Sequence, residues 1–513
     1  MSAVSLFNDV VGPVMRGPSS SHCAAALRIG RLARDLMDGE IAEVQVEFDR
    51  AGSLPATHES QGSDMGLFGG LLGWEADDDR LPDVAQHLEE AGIRLRFETV
   101  DVGDPHPNTY RLTLRNARET HSLIAISTGG GMIQVLSIDG APTRMDGGYH
   151  ETLVWLPPDA PADFPGEEVV VHELPTGRLV QVKAHRFLTA EEAGPHPVKR
   201  LARVLPVPSR RDVRLPFRGS EELRAADGDR HTPLWRLAVD YECARGGLSP
   251  AEVETKMVEI VRILRRSLDG GLAGTAYADR VLGVQSGRFR ERLAAGALLD
   301  AGALNRIILY VTAMMEVKSS LGVIVAAPTA GACAALPGAV IGMAEAMGLG
   351  EAEMARALLA AGLIGVFVAT RWTFAAEVGG CQAEGGAAAA MAAAGLITLA
   401  GGTRDQGLAA ASLALQSMLG LICDPIANRV EAPCLGKNVM AAANAVCCAN
   451  MALADYDPLI PFDEVVDAAK EVAGHMPREH RCTALGGLAA TPTSRRLEAL
   501  LAARKGGGCA GCR

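Results

Sequence analysis

The chain has 513 residues, 48% of them hydrophobic and 21% charged, which excludes disorder and is too much for one ordinary core. A formal net charge of −12 without a basic block excludes a nucleic-acid-binding surface. Aromatic residues reach only 4% while glycines number 57, which points to closely approaching helices.

Residues 1–140 read as an α/β domain. Apolar positions at helical spacing (Ala26, Leu27, Ile29, Leu32, Leu36) predict a helix over 23–38, and alternation predicts a strand over 41–48. A helix over 81–91 and strands over 95–100, 110–114, 123–126 and 132–138 follow, the last after a Gly129-Gly130-Gly131 turn. Residues 141–225 carry short strand-like runs at 152–156, 168–171 and 179–182, and read as a small β-rich subdomain or linker. Residues 226–500 read as an all-helical domain, with helices over 250–268, 301–315, 350–368, 386–399, 406–421, 439–453 and 461–473. Ser249, Pro250 and Glu252 give the first of these a capping box. A Gly/Cys tail occupies 501–513. The fold class is thus α+β and multidomain. Leu321–Met343 holds no charge and is long enough to span a bilayer, but its Ala, Gly, Val and two prolines predict a buried loop and helix instead.

Eleven cysteines are present, and the first residues lack the pattern of a signal peptide. The expectation is a cytoplasmic protein without a disulfide framework, its thiols free for metal or catalysis. Three thiols stand out. Cys381 lies in Glu377-Val-Gly-Gly-Cys-Gln-Ala-Glu384, Cys423 in Cys423-Asp-Pro-Ile-Ala-Asn-Arg429, and Cys434 in Glu431-Ala-Pro-Cys-Leu-Gly-Lys-Asn438. Each sits at a Gly or Pro break, where a thiolate can leave a helix. Zinc sites usually use close pairs, whereas iron–sulfur clusters collect thiolates from several loops. Three ligands would leave one iron open to polarise a substrate hydroxyl. The alternative is that buried cysteines are small hydrophobes, the reading for Cys333, Cys447 and Cys448.

These motifs resemble a known family. Gly17-Pro-Ser-Ser-Ser-His22, Ala327-Pro-Thr-Ala-Gly331, Gly380-Cys-Gln-Ala-Glu384, Cys423-Asp-Pro425, Pro433-Cys434 and Gly486-Gly-Leu-Ala-Ala-Thr-Pro-Thr493 are similar to segments of the iron–sulfur-dependent L-serine dehydratases. The resemblance covers 5–140 as a β-type domain and 230–500 as an α-type domain, here fused. It implies a 4Fe–4S cluster held by Cys381, Cys423 and Cys434, and a lyase that releases pyruvate and ammonia from L-serine without pyridoxal phosphate. It also implies that a C-terminal cysteine caps the open iron, for which Cys512 is favoured over Cys509 as nearer the free end.

Dehydration needs a base for the Cα proton and donors for the carboxylate. Ser19, Ser20, Ser21 and His22 precede a helix, where hydroxyls and free N–H groups suit an anion. His106 and Asn108 match a His-Pro-Asn-Thr segment of the family, and Thr329 and Gly331 belong to its Pro-Thr-Ala-Gly segment. One departure concerns the base. Where the family commonly has Gly-His-Gly-Thr-Asp, this chain has Gln61-Gly-Ser-Asp64, and His58, three residues earlier, is the candidate substitute. Arg429 and Arg371 are suited to bidentate carboxylate binding or to structural pairing with Glu377 or Glu431. The altered base segment and the two arginines leave L-threonine, L-cysteine or a β-hydroxy dicarboxylic amino acid open as alternatives to serine, an arginine in the pocket suiting the dicarboxylic one. The expected partners are a small β-hydroxy amino acid and a second copy of the chain, without nucleic acid or membrane. The rival readings are a non-catalytic binding protein of this fold, a redox carrier and a zinc hydrolase.

Overall fold

A computed structural model of the chain describes residues 3–17, 19, 22–59, 61–175 and 177–506. It divides into two compact units, Pro13–Asp212 and a helical unit made of Ala3–Gly12 with Val213–Arg513.

The first unit is built on a five-stranded sheet in the order Arg94–Val100, Glu43–Asp49, Thr109–Arg115, Thr120–Gly129, Met132–Ile138. The first pair is parallel and the rest antiparallel. Strand Glu43–Asp49 alternates as its sequence predicts, with Val44, Val46 and Phe48 turned into the core. Helix Cys23–Leu36 covers them with Ile29, Leu32 and Leu36 while Arg31, Arg34 and Asp35 face outward.

A helix that periodicity does not predict, Ser63–Leu71, packs on Cys23–Leu36. Its Gly66, Gly69 and Gly70 imitate loop punctuation in sequence. They are there for close approach, since a Cβ on Gly66 would lie 2.1 Å from the Cys23 carbonyl oxygen. Gly66 abuts Cys23 and Gly70 abuts Leu27 and Gly30, so the two helices run parallel. A second, antiparallel sheet of four strands (Val198–Leu201, His150–Leu156, Gly177–Ala184, Glu168–Leu174) belongs to the same unit.

The helical unit is packed through small side chains. Helix Ala387–Leu399 buries Ala387 to Ile397 without a break, because alanines on every face let its neighbours approach from all sides. The neighbours are Glu351–Arg371, Arg404–Gln416, Cys434–Leu453 and Ala335–Ala346. Pro250–Ala273 begins with the expected Ser249/Glu252 capping box.

Leu321–Met343 is not one helix but a short strand (Val323–Val325), turns and the start of Ala335–Ala346. Among the described residues, Glu351–Arg371 is the one helix long and apolar enough to cross a bilayer, and 78% of its most apolar stretch is buried inside the protein. The first residues join this unit through a buried carboxylate. Glu242 accepts from Ser5 Oγ at 2.6 Å and from the Leu6 N–H at 2.8 Å. Cys447 departs from its reading as a buried hydrophobe. It is exposed while Cys448 is buried, since adjacent helical residues point about 100° apart.

Candidate active site

His58, His106 and Asn108, candidate residues of the first unit, gather at one end of the five-stranded sheet. Strands Glu43–Asp49 and Arg94–Val100 end there, and Thr109–Arg115 begins there. Asp49 ties the loops together. Its carboxylate accepts the N–H groups of Ala51 (2.8 Å), Val102 (3.1 Å), Gly103 (2.6 Å) and Asp104 (3.1 Å). Four donors hold the carboxylate ionised and lower its pKa. The Ser53 N–H donates to the Pro107 carbonyl at 2.9 Å, and the Ser53 hydroxyl donates to Asn108 Oδ1. His106 Nδ1 accepts the Asn108 N–H at 3.2 Å, and its carbonyl accepts the Thr109 hydroxyl at 2.7 Å. Asn108 is thus held by Ser53 and His106, and His106 serves the turn.

His58 follows the short helix Leu54–Thr57 and stacks on Phe97 at 4.8 Å between ring centroids. Its Nδ1 lies 2.8 Å from Asp64 Oδ1 and 2.9 Å from Oδ2. The hydrogen bond to Asp64 raises the imidazole pKa, against the opposing effect of burial. His22 is the opposite case, burial pushing its pKa down to about 4, with Nδ1 3.0 Å from Ser19 Oγ. His22 begins the first of the two parallel helices and Gln61-Gly62 precedes the second, so His22 and the His58–Asp64 segment open at the same end of the unit. Ser20, Ser21, Cys509 and Cys512 lie outside the described residues.

The thiols Cys381, Cys423 and Cys434 are all buried in the helical unit. Cys381 follows Gly380, whose φ of +67° and neighbours Met476 Sδ and Leu421 O leave no room for a side chain. Cys434 is the first residue of Cys434–Leu453, just after Pro433. Cys423 is paired through its backbone with a segment more than fifty residues later, its N–H donating to the His480 carbonyl at 2.9 Å. The Cys423 and Cys381 sulfurs are hydrogen-bonded, which lowers the Cys381 pKa and raises that of Cys423. Burial pushes the Cys434 thiol up to about 12.

The surroundings supply compensating charge. Lys437 Nζ lies 3.6 Å from Cys381 Sγ and donates to Asp424 Oδ1 at 2.6 Å and to the Ile422 carbonyl at 2.7 Å. Asp424 Oδ2 accepts the Leu488 N–H at 3.0 Å, which docks the Gly486–Thr493 motif on the Cys423 loop. Lys318 is buried and donates to the Val430 carbonyl, between Cys423 and Cys434, and burial lowers its pKa. Asn438 joins two motifs. Its Nδ2 donates to the carbonyls of Gly331 (2.8 Å) and Cys434 (2.9 Å), and its Oδ1 accepts the N–H groups of Ala334 and Ala335 at 3.3 and 3.1 Å.

Thr329 hydrogen-bonds Glu384, whose carboxyl also walls Gly331, where an added Cβ would lie 2.8 Å from Oε2. Glu384 keeps some surface exposure, yet burial of its carboxyl and the neighbouring Cys381 push its pKa up to about 8. Thr329 and Gly331 therefore stand with the cysteines, through Asn438 and Glu384.

The two arginines have structural partners. Arg429 Nη2 reaches both oxygens of Asp279 at 2.7 Å, and Arg371 pairs with Asp463 at 3.1 Å and Asp467 at 2.9 Å. Glu431, a partner considered for them, instead accepts the N–H groups of Val281 and Leu282 at 3.0 Å each. Sequence reasoning passed over Lys318, Glu384, Lys437, Asn438 and Cys482. Glu384, Lys437 and Asn438 lie inside the quoted motifs, so their proximity to the thiols was the available signal.

Residues 229–489 match the family model for the serine dehydratase alpha chain. An L-serine dehydratase of Streptomyces coelicolor is 31% identical over 92% of this chain and 96% of its own. A probable L-serine dehydratase alpha chain of Bacillus subtilis is 34% identical over 55% of this chain and 94% of its own. The corresponding probable beta chain of Bacillus subtilis is 39% identical over 28% of this chain and 66% of its own. With both kinds of segment in one polypeptide, the chain belongs to the L-serine dehydratase family.

Proposed function

We propose that the chain is an L-serine ammonia-lyase that releases pyruvate and ammonia, working with a 4Fe–4S cluster held by Cys381, Cys423 and Cys434. The observation that carries this reading is the gathering of buried thiols from separate loops beside the Lys437 ammonium. Thiols supplied by several loops suit a cluster, and buried cations offset the charge of its thiolates. The bound cluster supplies a Lewis-acidic iron that makes the substrate β-hydroxyl a better leaving group.

The protein's own groups do the rest. His58 takes the Cα proton at Nε2, because Asp64 at Nδ1 fixes the tautomer with Nδ1 protonated and Nε2 free to accept. The raised pKa strengthens it as a base. His22 stays neutral at neutral pH and holds Ser19, at a helix start suited to the substrate carboxylate. Thr329 and Gly331 form the wall beside Glu384, where a small amino acid packs. Pairing of both Arg371 and Arg429 with aspartates favours serine over a dicarboxylic substrate.

The test is anaerobic purification with iron and sulfide counts, and 2-oxo acid release from L-serine, L-threonine, L-cysteine and a β-hydroxy dicarboxylic amino acid. Full activity of an iron-free preparation would overturn the cluster, and inert serine would overturn the substrate. His58→Ala should abolish exchange of the Cα proton with deuterated solvent while leaving the visible spectrum unchanged. Retained exchange would remove the role from His58.

A further inference from the structure

Residues 274–285 form a loop without helix or strand between helices Pro250–Ala273 and Ser286–Ala294, yet the loop is fastened at several points. Two of the fastenings reach the segment between Cys423 and Cys434. Asp279 holds Arg429, and the Val281 and Leu282 N–H groups donate to Glu431 at 3.0 Å each. At the far end of the loop the Gln285 and Ser286 N–H groups donate to the buried Glu316 carboxylate. Arg280 therefore stands between two residues that are tied to the Cys423–Cys434 segment. Its side chain adds a further tie. Nη1 donates to Thr275 Oγ1 at 2.8 Å and to Ser320 Oγ at 3.0 Å, and Ser320 lies two residues after Lys318, which donates to the Val430 carbonyl.

The guanidinium is only partly used. Among the described residues its hydrogen bonds run from Nη1 alone, and no carboxylate is paired with it. Its Nε is buried without a partner. The acids around it are committed elsewhere, Asp279 to Arg429 and Glu431 to backbone N–H groups. A buried donor on a full charge is costly to leave unpaired. Nε–H and one Nη2–H point the same way in the planar group, forming the fork that binds a carboxylate through two parallel hydrogen bonds. The two hydroxyls on Nη1 anchor the other side of the group, so the fork is set before a ligand arrives.

We propose that Arg280 binds the carboxylate of the amino-acid substrate through Nε and Nη2, beside the thiol loops of the helical unit. The inference rests on the lyase reading above and adds a specificity residue to it. L-Serine brings one carboxylate, and the fork takes one. The fork uses two of that group's lone pairs and leaves the rest for neutral donors. An arginine suits the task better than a lysine, since the planar fork fixes the direction of the carboxylate and with it that of the β-hydroxyl. Arg371 and Arg429 are not available for it, because aspartates occupy them. The 2-oxo acid product keeps the carboxylate, so the fork also holds product until it leaves.

The test compares the full chain with Arg280→Gln and Arg280→Lys, each reconstituted anaerobically with iron and sulfide. With L-serine as substrate, Arg280→Gln should raise KM by about thirtyfold, the loss expected for charge-assisted hydrogen bonds, and lower kcat less. Arg280→Lys keeps the charge without the fork and should recover only part of that loss. L-Serinamide, which lacks the carboxylate, is the second probe, as a competitive inhibitor. Its inhibition constant should be the same in parent and Arg280→Gln, a selectivity that general loosening of the loop would not produce. An unchanged KM for L-serine, or equal weakening of L-serine and L-serinamide, overturns the proposal and leaves the lyase standing. A variant that weakens inhibition by pyruvate alone also overturns it. Phenylglyoxal labelling of the parent with mass mapping decides the matter if the variants fail to fold or the parent is inert on L-serine. L-Serine should slow modification of Arg280 and L-serinamide should not, and equal labelling with and without L-serine overturns the proposal. An inert parent whose Arg280 is protected by L-serine overturns the lyase reading and leaves the carboxylate site.

Discussion

The two units solve the same problem, holding loops in register, with charges of opposite sign. At the end of the five-stranded sheet in the first unit, backbone N–H groups converge and the tie is an anion, Asp49, accepting four of them. Beneath the thiol loops of the helical unit the tie is a cation, Lys437, touching a thiol, a carbonyl and a carboxylate. Four gathered N–H dipoles need negative charge, whereas thiols, carbonyls and Asp424 need positive charge. The sign of a buried tie therefore reports what its loops present.

The largest expected effect comes from removing the cationic tie. Lys437→Met leaves Asp424 without its ammonium partner and should destabilise the helical unit by about 2–3 kcal/mol, at the lower end for a broken buried pair because both groups keep some exposure. Denaturant midpoints check it, and a midpoint equal to the parent's would refute the assigned role.

A second buried carboxyl of the first unit forms no ion pair among the described residues. Glu151, in the four-stranded sheet, has one carboxyl oxygen on Gln181 Nε2 at 3.0 Å and the other without a partner among the described residues. Burial raises its pKa from 4.5 to about 8. The unfolded carboxyl ionises above its ordinary pKa while the folded one keeps its proton. The stabilising contribution is therefore full below pH 4.5 and is lost as pH rises through about 8. Glu151→Gln should flatten that loss and gain roughly 2 kcal/mol at pH 8, discounted for relaxation around the charge. Melting temperatures of parent and variant from pH 5 to pH 9 decide it.

Removing the anionic tie should have a smaller and more local effect, because water reaches this end of the sheet. Asp49→Ala should speed amide exchange at Ala51, Val102, Gly103 and Asp104 without a comparable change in the strand amides. Unchanged exchange would remove Asp49 from its role. The smallest effect belongs to the Arg429–Asp279 pair. Its guanidinium and carboxylate keep 19% and 29% side-chain exposure, so Arg429→Ala should cost about 1 kcal/mol or less in unfolding experiments.

How much was legible in sequence follows the same division. In the first unit the strands alternate, and predicted and observed strands agree to within a few residues, as at Met132–Ile138. Helix Ser63–Leu71 escaped because its glycines serve close packing and read as a loop. In the helical unit the capped helix Pro250–Ala273 was visible from its start signal, whereas the buried loop and helix read in the uncharged Ala/Gly stretch had no polar face or cap to mark where Ala335–Ala346 begins. The partners of Arg429 and Cys423, Asp279 and the 480–482 segment, carry no periodic or spacing signal that links them to these residues.

The sequence by itself determined the α+β division, the capped and alternating elements, and the ordered motifs that mark the family, because each is written in residues close along the chain. Only the tertiary structure decided that Ala3–Gly12 joins the helical unit, that both arginines are held by aspartates, and that Cys482 meets Cys423. These depend on which distant backbone segments approach within hydrogen-bonding reach. Packing of the small-residue helices sets that approach, and no local pattern encodes it.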